Sequence, residues 1–550
     1  MLQFNSKTDR LLARTALAIL SVGAVYGAYS LGGPLYWRFY ATMVAPFSGN
    51  QLDALVLDDD PFAAIEAEKL LQHGSARATN RPAKTRPFDP EDYPLNRERV
   101  TALLQDGYIM VTWANHHYLD FAKSWVYNVK KAGVTGYLVG AMDDDMLKAM
   151  VDADINTWRM NTGITKADLG WGSGNFHKMG RAKIALIKDF LEFGVDVVIT
   201  DIDTAWLRNP LPFFSRYPHA DILTSSDQLR ETVSDESLEK FPDAGAAFNI
   251  GIMMFRPKSL AFVEDWIAKL QDVGVWDQNA FNDLSRLGHT LSDPADGNLF
   301  KGDNGKLTMG VLPVSIFASG HTFFVQRKYQ ELGLQPYVAH ATFQYSGTSG
   351  KRNRFREAML FHDPPEYYDS PKGFVALKMD IPKHFLTAAK GIEGRLTVDK
   401  MHHHFDLVHW QLHRLRTALL VATLTGRVII MPPIWCELDK YWAPLEDGNV
   451  PGARWKKPFI CPADHVLDLE GRWHRPMPPD MYGPHIEFRE YSFLENPRLP
   501  DAVARSRVVL DARGGADAAE AATGAEVVRA EAGASMPELR QLLAQPEAGR

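Results

Sequence analysis

A series of short, unbroken apolar runs, each closed by polar residues or glycine, constrains the fold of this chain more than any other feature. YIMVTWAN (Tyr108 to Asn115), TGYLVGAMDDD, VDVVIT (Val195 to Thr200), ADILTSS and AAFNIGIMMF all have this form. Between them lie segments with helical spacing: Tyr118 to Lys131, the amphipathic NFHKMGRAKIALIKDFLEFG (Asn175 to Gly194) stopped by glycine, and LAFVEDWIAKL. Strands that are apolar throughout must be covered on both faces. Their alternation with helices predicts an α/β, Rossmann-like, mostly parallel sheet with helices on both sides. In such sheets ligands bind beyond the carboxyl ends of the strands. That rule singles out Asn115, Asp143 and the pair Asp201/Asp203.

The rest of the 550 residues divides by composition. No charge interrupts Thr15 to Trp37, and 19 residues up to Gly33 at roughly 1.5 Å each reach about 29 Å, close to the hydrocarbon thickness of a bilayer. Lys7, Arg10 and Arg14 precede this run, so the positive-inside rule predicts a cytoplasmic tail (1–14), a signal anchor (15–34) and a lumenal remainder. Such a chain is a type II protein of a secretory-pathway membrane. Polar, proline-punctuated sequence follows as a stem or linker (35–100), with one short helix in DDDPFAAIEAEKLL. The first α/β unit is expected over 101–377 and a second, C-terminal accessory α/β unit over 378–513. In the second, HFDLVHWQLHRLRTALLVATLTG reads as a helix, and RVIIMPP, CPADHVLDL and RVVLDA read as strands. An Ala/Gly-rich tail (514–550) ends in the helical MPELRQLL. A net charge of -7 without a long basic block argues against nucleic acid as a partner. Two cysteines, Cys436 and Cys461, rule out a disulfide framework and leave open one bridge or two buried thiols. His402, His403 and His404 are consecutive, so they cannot all face one ion.

Asp201-Ile202-Asp203 follows four apolar residues. If strand geometry persists, both carboxylates point to one side. Two like charges so close favour a cation between them, and oxygen ligands favour Mg²⁺ or Mn²⁺. Two side chains alone leave such an ion short of ligands, which a diphosphate can supply. The competing reading is a capped strand end. A phosphatase of the haloacid-dehalogenase type also begins with apolar residues and D-x-D, but it needs Thr or Val where Ala205 stands.

The segment DIDTAWLRNP has the pattern D-x-D-x-x-W-L-x-x-P. Here the chain resembles the nucleotide-diphospho-sugar transferases of GT-A fold, in particular the family with plant cell-wall arabinosyl- and xylosyltransferases. NFHKMGRAKIALIKDFLEFGVDVVITDIDTAWLRNP, FNIGIMMFRP, WDQNAFND and YVAHATFQYSGTSGKRNRFREAMLFHDPPEYY carry the resemblance in order across Gly107 to Tyr368. It implies a Mn²⁺ (or Mg²⁺) site of Asp201, Asp203 and His340 and a UDP-sugar donor. Thr112, Ala114 and Asn115 would cradle the uridine. Asp143 would accept from ribose or base, with a loop cap the equal alternative. Lys178, Arg181 and Lys183 are candidates for the donor phosphates, against a solvated helix face. Gly347, Gly350 and Lys351 would meet the diphosphate. Asn249 and Gly251 would border the sugar, and Asp277 and Gln278 the acceptor or reacting sugar. The resemblance implies retaining transfer.

MHHHFDLVHWQLHRLRTALLVATLTGRVIIMPPIWCELDKYW and PFICPADHVLDL further resemble the carboxyl-terminal region of extensin arabinosyltransferases of plants and green algae. They imply UDP-arabinofuranose as donor and arabinosylated hydroxyproline of a glycoprotein as acceptor. UDP-xylose or UDP-galactose, with a wall glycan as acceptor, is the runner-up. They also imply a Golgi membrane location beside other Golgi glycosyltransferases. The different-class alternative is a non-catalytic Golgi scaffold.

Overall fold

The computed structural model describes residues 87–160, 174–272, 274–291, 297–385, 398–439, 458–469, 486–505, 507–511 and 526–544. The apolar span at 15–34, the tail before it and the linker to residue 86 lie outside the described residues. Among the described residues no helix is long and apolar enough to cross a membrane.

The first unit is built on a nine-stranded sheet. Its strands are β1 (Tyr108–Ala114), β2 (Tyr137–Ala141), β3 (Thr157–Arg159), β4 (Asp196–Thr200), β6 (Ile222–Ser226), β7 (Phe248–Phe255), β8 (Thr290–Leu291), β9 (Phe300–Gly302) and β10 (Leu307–Val311). In space the order is β3-β2-β1-β4-β7-β6-β10-β9-β8. β3, β2, β1 and β4 pair in parallel, as do β6 and β10, whereas β7 and β9 run against their neighbours. The sheet is therefore parallel-rich rather than uniformly parallel. The run FNIGIMMF belongs to a reversed strand, because burial on both faces makes a strand apolar whichever way it points.

Alternate residues of each run face opposite sides, as the strand period requires. Tyr108 and Met110 pack into one core, while Ile109, Val111 and Trp113 pack into the other; Val198 and its neighbours Val197 and Ile199 divide in the same way. Helix α1 (Leu119–Lys131) covers the first face with Ala122, Trp125 and Val129. Helix α2 (Asp144–Asp152) lies on the same side. Helix α3 (Gly174–Glu192) covers the second with Ile184, Ile187 and Phe190, supported by α4 (Leu260–Lys269) and α5 (Asp277–Arg286). Gly194, at φ +75°, ends the α3 turn in the left-handed conformation that glycine adopts without a Cβ penalty.

A second, three-stranded sheet joins β5 (Thr204–Trp206), β11 (Phe317–Ser319) and β12 (Val338–His340). Its pairing of β5 with β12 sets His340 opposite Thr204.

The second unit holds a parallel sheet in the order β17-β14-β13-β18-β19. These strands are β13 (Phe374–Lys378), β14 (Val428–Ile430), β17 (Phe488–Arg489), β18 (Val508–Asp511) and β19 (Glu526–Arg529). Helix α7 (Val398–Thr425) packs on it through Leu415, Ala418, Val421 and Ala422, and α8 (Met536–Leu543) adds Leu539. The observed boundaries differ from the compositional ones. Helix Arg97–Ala102, with Val100 buried, already belongs to the first unit's core, so the fold starts before residue 101. β13 already belongs to the second sheet, ahead of residue 378. The tail supplies β19 and α8, so residues beyond 513 are part of the second unit.

CPADHVLDL is not a strand. After β16 (Phe459–Cys461), which pairs with β15 (Ile434–Cys436), Pro462 leads into a 3₁₀ turn at Ala463–His465. Cys436 and Cys461 form a disulfide, which settles the choice left open by the sequence.

Candidate active site

The strand β4 ends at Thr200, and Ile202 and Asp203 form a turn rather than a continued strand. Alternation therefore does not align the two carboxylates. The turn does so instead, held by Thr204 Oγ1, which donates to the Asp201 carbonyl (2.8 Å), and by Asp201 N, which donates to the Gly251 carbonyl (2.8 Å). Pairing of β5 with β12, extended by Ala341 N donating to the Asp203 carbonyl (2.9 Å), then carries His340 to the same corner. His340 Nε2 lies 3.8 Å from Asp201 Oδ2 and 3.5 Å from Asp203 Oδ1. One ligand atom from each of the three residues falls within 4.8 Å of the others. Two carboxylate oxygens and an imidazole nitrogen suit a divalent cation such as Mn²⁺ or Mg²⁺. The triad fits such an ion.

Two lysines border the triad. Lys183, buried on α3, donates to Asp201 Oδ1 (2.8 Å) and the Ile250 carbonyl (2.6 Å), with its ammonium 5.3 Å from the centre of the Trp113 ring. Lys351 donates to Asp203 Oδ2 (2.7 Å) from helix α6 (Gly347–Glu357). Burial opposes ionisation of Asp203, but Lys351 and His340 outweigh it and hold the carboxyl well below the usual range. Gly251 closes the corner. A Cβ there would stand 2.2 Å from His340 Cε1 and 2.9 Å from Asp201 Oδ2, so only glycine fits without displacing the triad.

Beside Gly251, Asn249 Oδ1 accepts from Gly251 N (2.8 Å) and Asn249 Nδ2 donates to Asp227 Oδ1 (2.9 Å). Gln278 Nε2 donates to the second oxygen of Asp227 (3.0 Å). Burial raises the Asp227 carboxyl, opposed by those two amides and by His340. Asp227 was not singled out from the sequence. The signal was there, since it follows β6 directly, as Asn115 follows β1 and Asp143 closely follows β2. Asp277 opens α5 and faces Gly180 of α3, where a Cβ would lie 2.2 Å from its Oδ2. Its own Oδ1 accepts from Gln278 N (2.8 Å).

The remaining candidates divide. Thr112, Ala114 and Asn115 are buried at the end of β1, and Thr112 Oγ1 has no hydrogen-bond partner among the described residues. Asp143 accepts from His116 N (2.8 Å) and Met146 N (2.9 Å), which is the cap reading of that residue. Arg181 Nε donates to the Leu270 carbonyl (3.0 Å), and Lys178 is exposed. Gly347, at φ +52°, starts α6 beside Ser346 at φ +63°, and Gly350 packs against the Tyr345 carbonyl. His403 and His404 both grip Glu437, by Nδ1 against its carboxylate and by Nδ1 accepting from its backbone N (3.2 Å). They are not arranged around one ion.

Residues 132–355 match the profile of the nucleotide-diphospho-sugar transferase family. Over 419 residues the chain is 44% identical to arabinosyltransferase XEG113 of Arabidopsis thaliana, covering 76% of this chain and 64% of that protein. It is 25% identical over 148 residues to the beta-arabinofuranosyltransferase RAY1 of the same plant, 26% of this chain and 28% of that one. The chain thus spans less than two thirds of the length of these curated relatives. Among solved structures, galactosyltransferase LgtC with donor and acceptor sugar analogs aligns at 14% identity and a TM-score of 0.30, over 47% of this chain and 98% of that one.

Proposed function

We propose that this chain is a metal-dependent glycosyltransferase that takes a sugar from a UDP-sugar, with UDP-arabinofuranose as the donor and arabinosylated hydroxyproline of an extensin-like glycoprotein as the acceptor. The observation that carries the reading is the convergence of Asp201, Asp203 and His340, with ligand atoms within 4.8 Å of one another. A divalent cation held by these three would supply Lewis-acid neutralisation of the leaving diphosphate. Lys183 and Lys351 add positive charge at the same corner, where an excess of anion gathers when a nucleotide enters. Thr112 and Asn115, at the end of β1, suit the base and ribose. Asp227, Asn249 and Gln278 form a hydrogen-bonding wall that orients sugar hydroxyls against Gly251, and Asp277 lies at its edge. Transfer with retention, in which the acceptor hydroxyl attacks the face from which UDP leaves, is part of this reading. So is a Golgi location, with an apolar segment near the N-terminus as anchor and other Golgi transferases as neighbours.

The test is a donor panel. Purified protein with Mn²⁺ is given UDP-arabinofuranose, UDP-xylose or UDP-galactose and an arabinosylated hydroxyproline peptide, and the product linkage is determined. Transfer of arabinofuranose with retained configuration is expected. Transfer from UDP-xylose alone would sink the donor assignment. Neither transfer nor hydrolysis from any UDP-sugar would sink the enzymatic reading and favour a scaffold.

A further inference from the structure

The second unit is joined to the first at one end of the candidate site. We infer that its segment Ala463–Leu469 is a built part of the donor site, and that Asp464 is the positioning residue that holds the loop and helix bearing Lys351. This rests on the donor-site reading above.

The loop between His340 and α6 is only partly held from within, by Gln344 Nε2 donating to the Gly347 carbonyl (3.2 Å) and Thr342 N to the His340 carbonyl (2.7 Å). Phe343 (φ +52°), Ser346 (φ +63°) and Gly347 (φ +52°) are left-handed, a conformation that non-glycine residues seldom adopt unless their surroundings impose it. The helix that follows has no side-chain cap of its own at Ser346. Further support comes from the second unit. Asp464 Oδ2 accepts from Tyr345 N (2.7 Å), and both its oxygens accept from Arg354 Nε (3.1 Å), one turn beyond Lys351. Leu469 N donates to Ser346 Oγ (2.9 Å), and Ser346 Oγ donates to the Leu467 carbonyl (3.4 Å). At the far end of the helix, Ala463 N donates to Glu357 Oε1 (3.0 Å). The segment thus grips the loop, the middle and the end of α6. The first turn has no slack, because a Cβ on Gly350 would lie 1.7 Å from the Tyr345 carbonyl oxygen.

The grip is itself fixed. The Cys436–Cys461 disulfide ties β16 to β15 immediately before Ala463. Beyond β15, Asp439 Oδ2 meets His321 Nε2 of the first unit at 2.7 Å. Arg354 and Asp464 have no exposed side-chain surface. A buried ion pair is weak evidence of net stabilisation but strict in geometry, and removing one partner leaves an uncompensated charge. Its output is the place of Lys351 Nζ, 2.7 Å from Asp203 Oδ2. A shift of α6 by an ångström or so would break that contact.

The experiment compares the full chain with Asp464→Asn, Ser346→Ala and Val528→Ala. Calorimetric titration of UDP in the presence of Mn²⁺ and the Tm are measured on each. Val528 is buried in β19, the edge strand of the second sheet, and serves as the control for a loss of stability alone. Asp464→Asn is expected to weaken UDP binding about tenfold or more, and Ser346→Ala about threefold. Val528→Ala should lower Tm with affinity kept within about twofold. Wild-type affinity in both Asp464→Asn and Ser346→Ala would overturn the inference while leaving the donor-site reading intact. If Asp464→Asn does not fold, Ser346→Ala decides by the same criterion. Wild-type protein that binds no UDP with Mn²⁺ would overturn the donor-site reading, and this inference with it.

Discussion

Two carboxylates near Gly251, the buried Asp203 and the partly buried Asp227, are pushed in opposite directions by their surroundings. Asp203 faces Lys351 and His340, and their charge overcomes burial and keeps it ionised. Asp227 faces the amides of Asn249 and Gln278, which stabilise its charge less, and burial raises it. The same residue type is thereby given two tasks, one beside cations and one beside neutral hydrogen-bonding groups. The first corner suits a metal–diphosphate and the second suits sugar hydroxyls.

Removing the first carboxylate is the largest perturbation. Asp203→Asn should lower turnover about a thousandfold or more, and the loss should resist added Mn²⁺. Near-wild-type turnover, with circular dichroism showing a folded chain, would contradict the metal role. Asp227→Asn should lower kcat about a hundredfold and leave Mn²⁺ half-saturation unchanged. Because Asp227 is raised, wild-type activity should fall on acidification at a pH above the ordinary carboxylate range. That limb should vanish in the variant, and its persistence would assign it elsewhere. Gly251→Ala inserts a methyl into the boundary between the corners. Mn²⁺ half-saturation should rise by about one order of magnitude, and an unchanged value would mean that His340 can move aside.

Glu357 extends the comparison to the joint between the units. Burial, opposed by Ala463 N and reinforced by Asp464, pushes its carboxyl up to about 8, against an unfolded value near 4.5. Between those values the folded protein keeps a proton that the unfolded chain has released, so the wild type loses stability as pH rises through that window. Glu357→Gln keeps an acceptor for Ala463 N and has no such loss. The Tm advantage of the variant over the wild type should grow from pH 5 to pH 8, and a constant gap would refute it. The smallest effect is expected at Asp143. Asp143→Ala should cost about 1 kcal/mol of stability as a lost helix cap, with UDP affinity unchanged. A weakened affinity would restore the nucleotide role.

The sequence made the sheet legible because strands buried on both faces must be apolar at every position. Strand direction leaves no such trace, so the antiparallel course of β7 within the mostly parallel sheet shows only in the fold. Asp201 and Asp203 stood out as paired charges after VVIT, and the family resemblance pointed to His340. The means of bringing them together, a turn at Ile202-Asp203 and the β5–β12 pairing, lies in contacts distant along the chain. Asp227 was accessible to the strand-end rule, although its sequence neighbourhood carries no motif. Asp464 was not. CPADHVLDL has the apolar content of a strand, and only the fold shows Pro462 turning it into a clasp on α6.

The pairing of His340 opposite Thr204 has a consequence for how this chain can change. The lateral bonding of two short strands, rather than the length of the chain between Trp206 and Val338, decides where the imidazole arrives. Loops along that stretch that do not flank Asp227, Asn249, Asp277 or Gln278 can lengthen or shorten without moving His340. A single-residue slip of β12 against β5 would turn His340 to the opposite face. For the imidazole, variation in the length of those loops is tolerated, and variation in register is not.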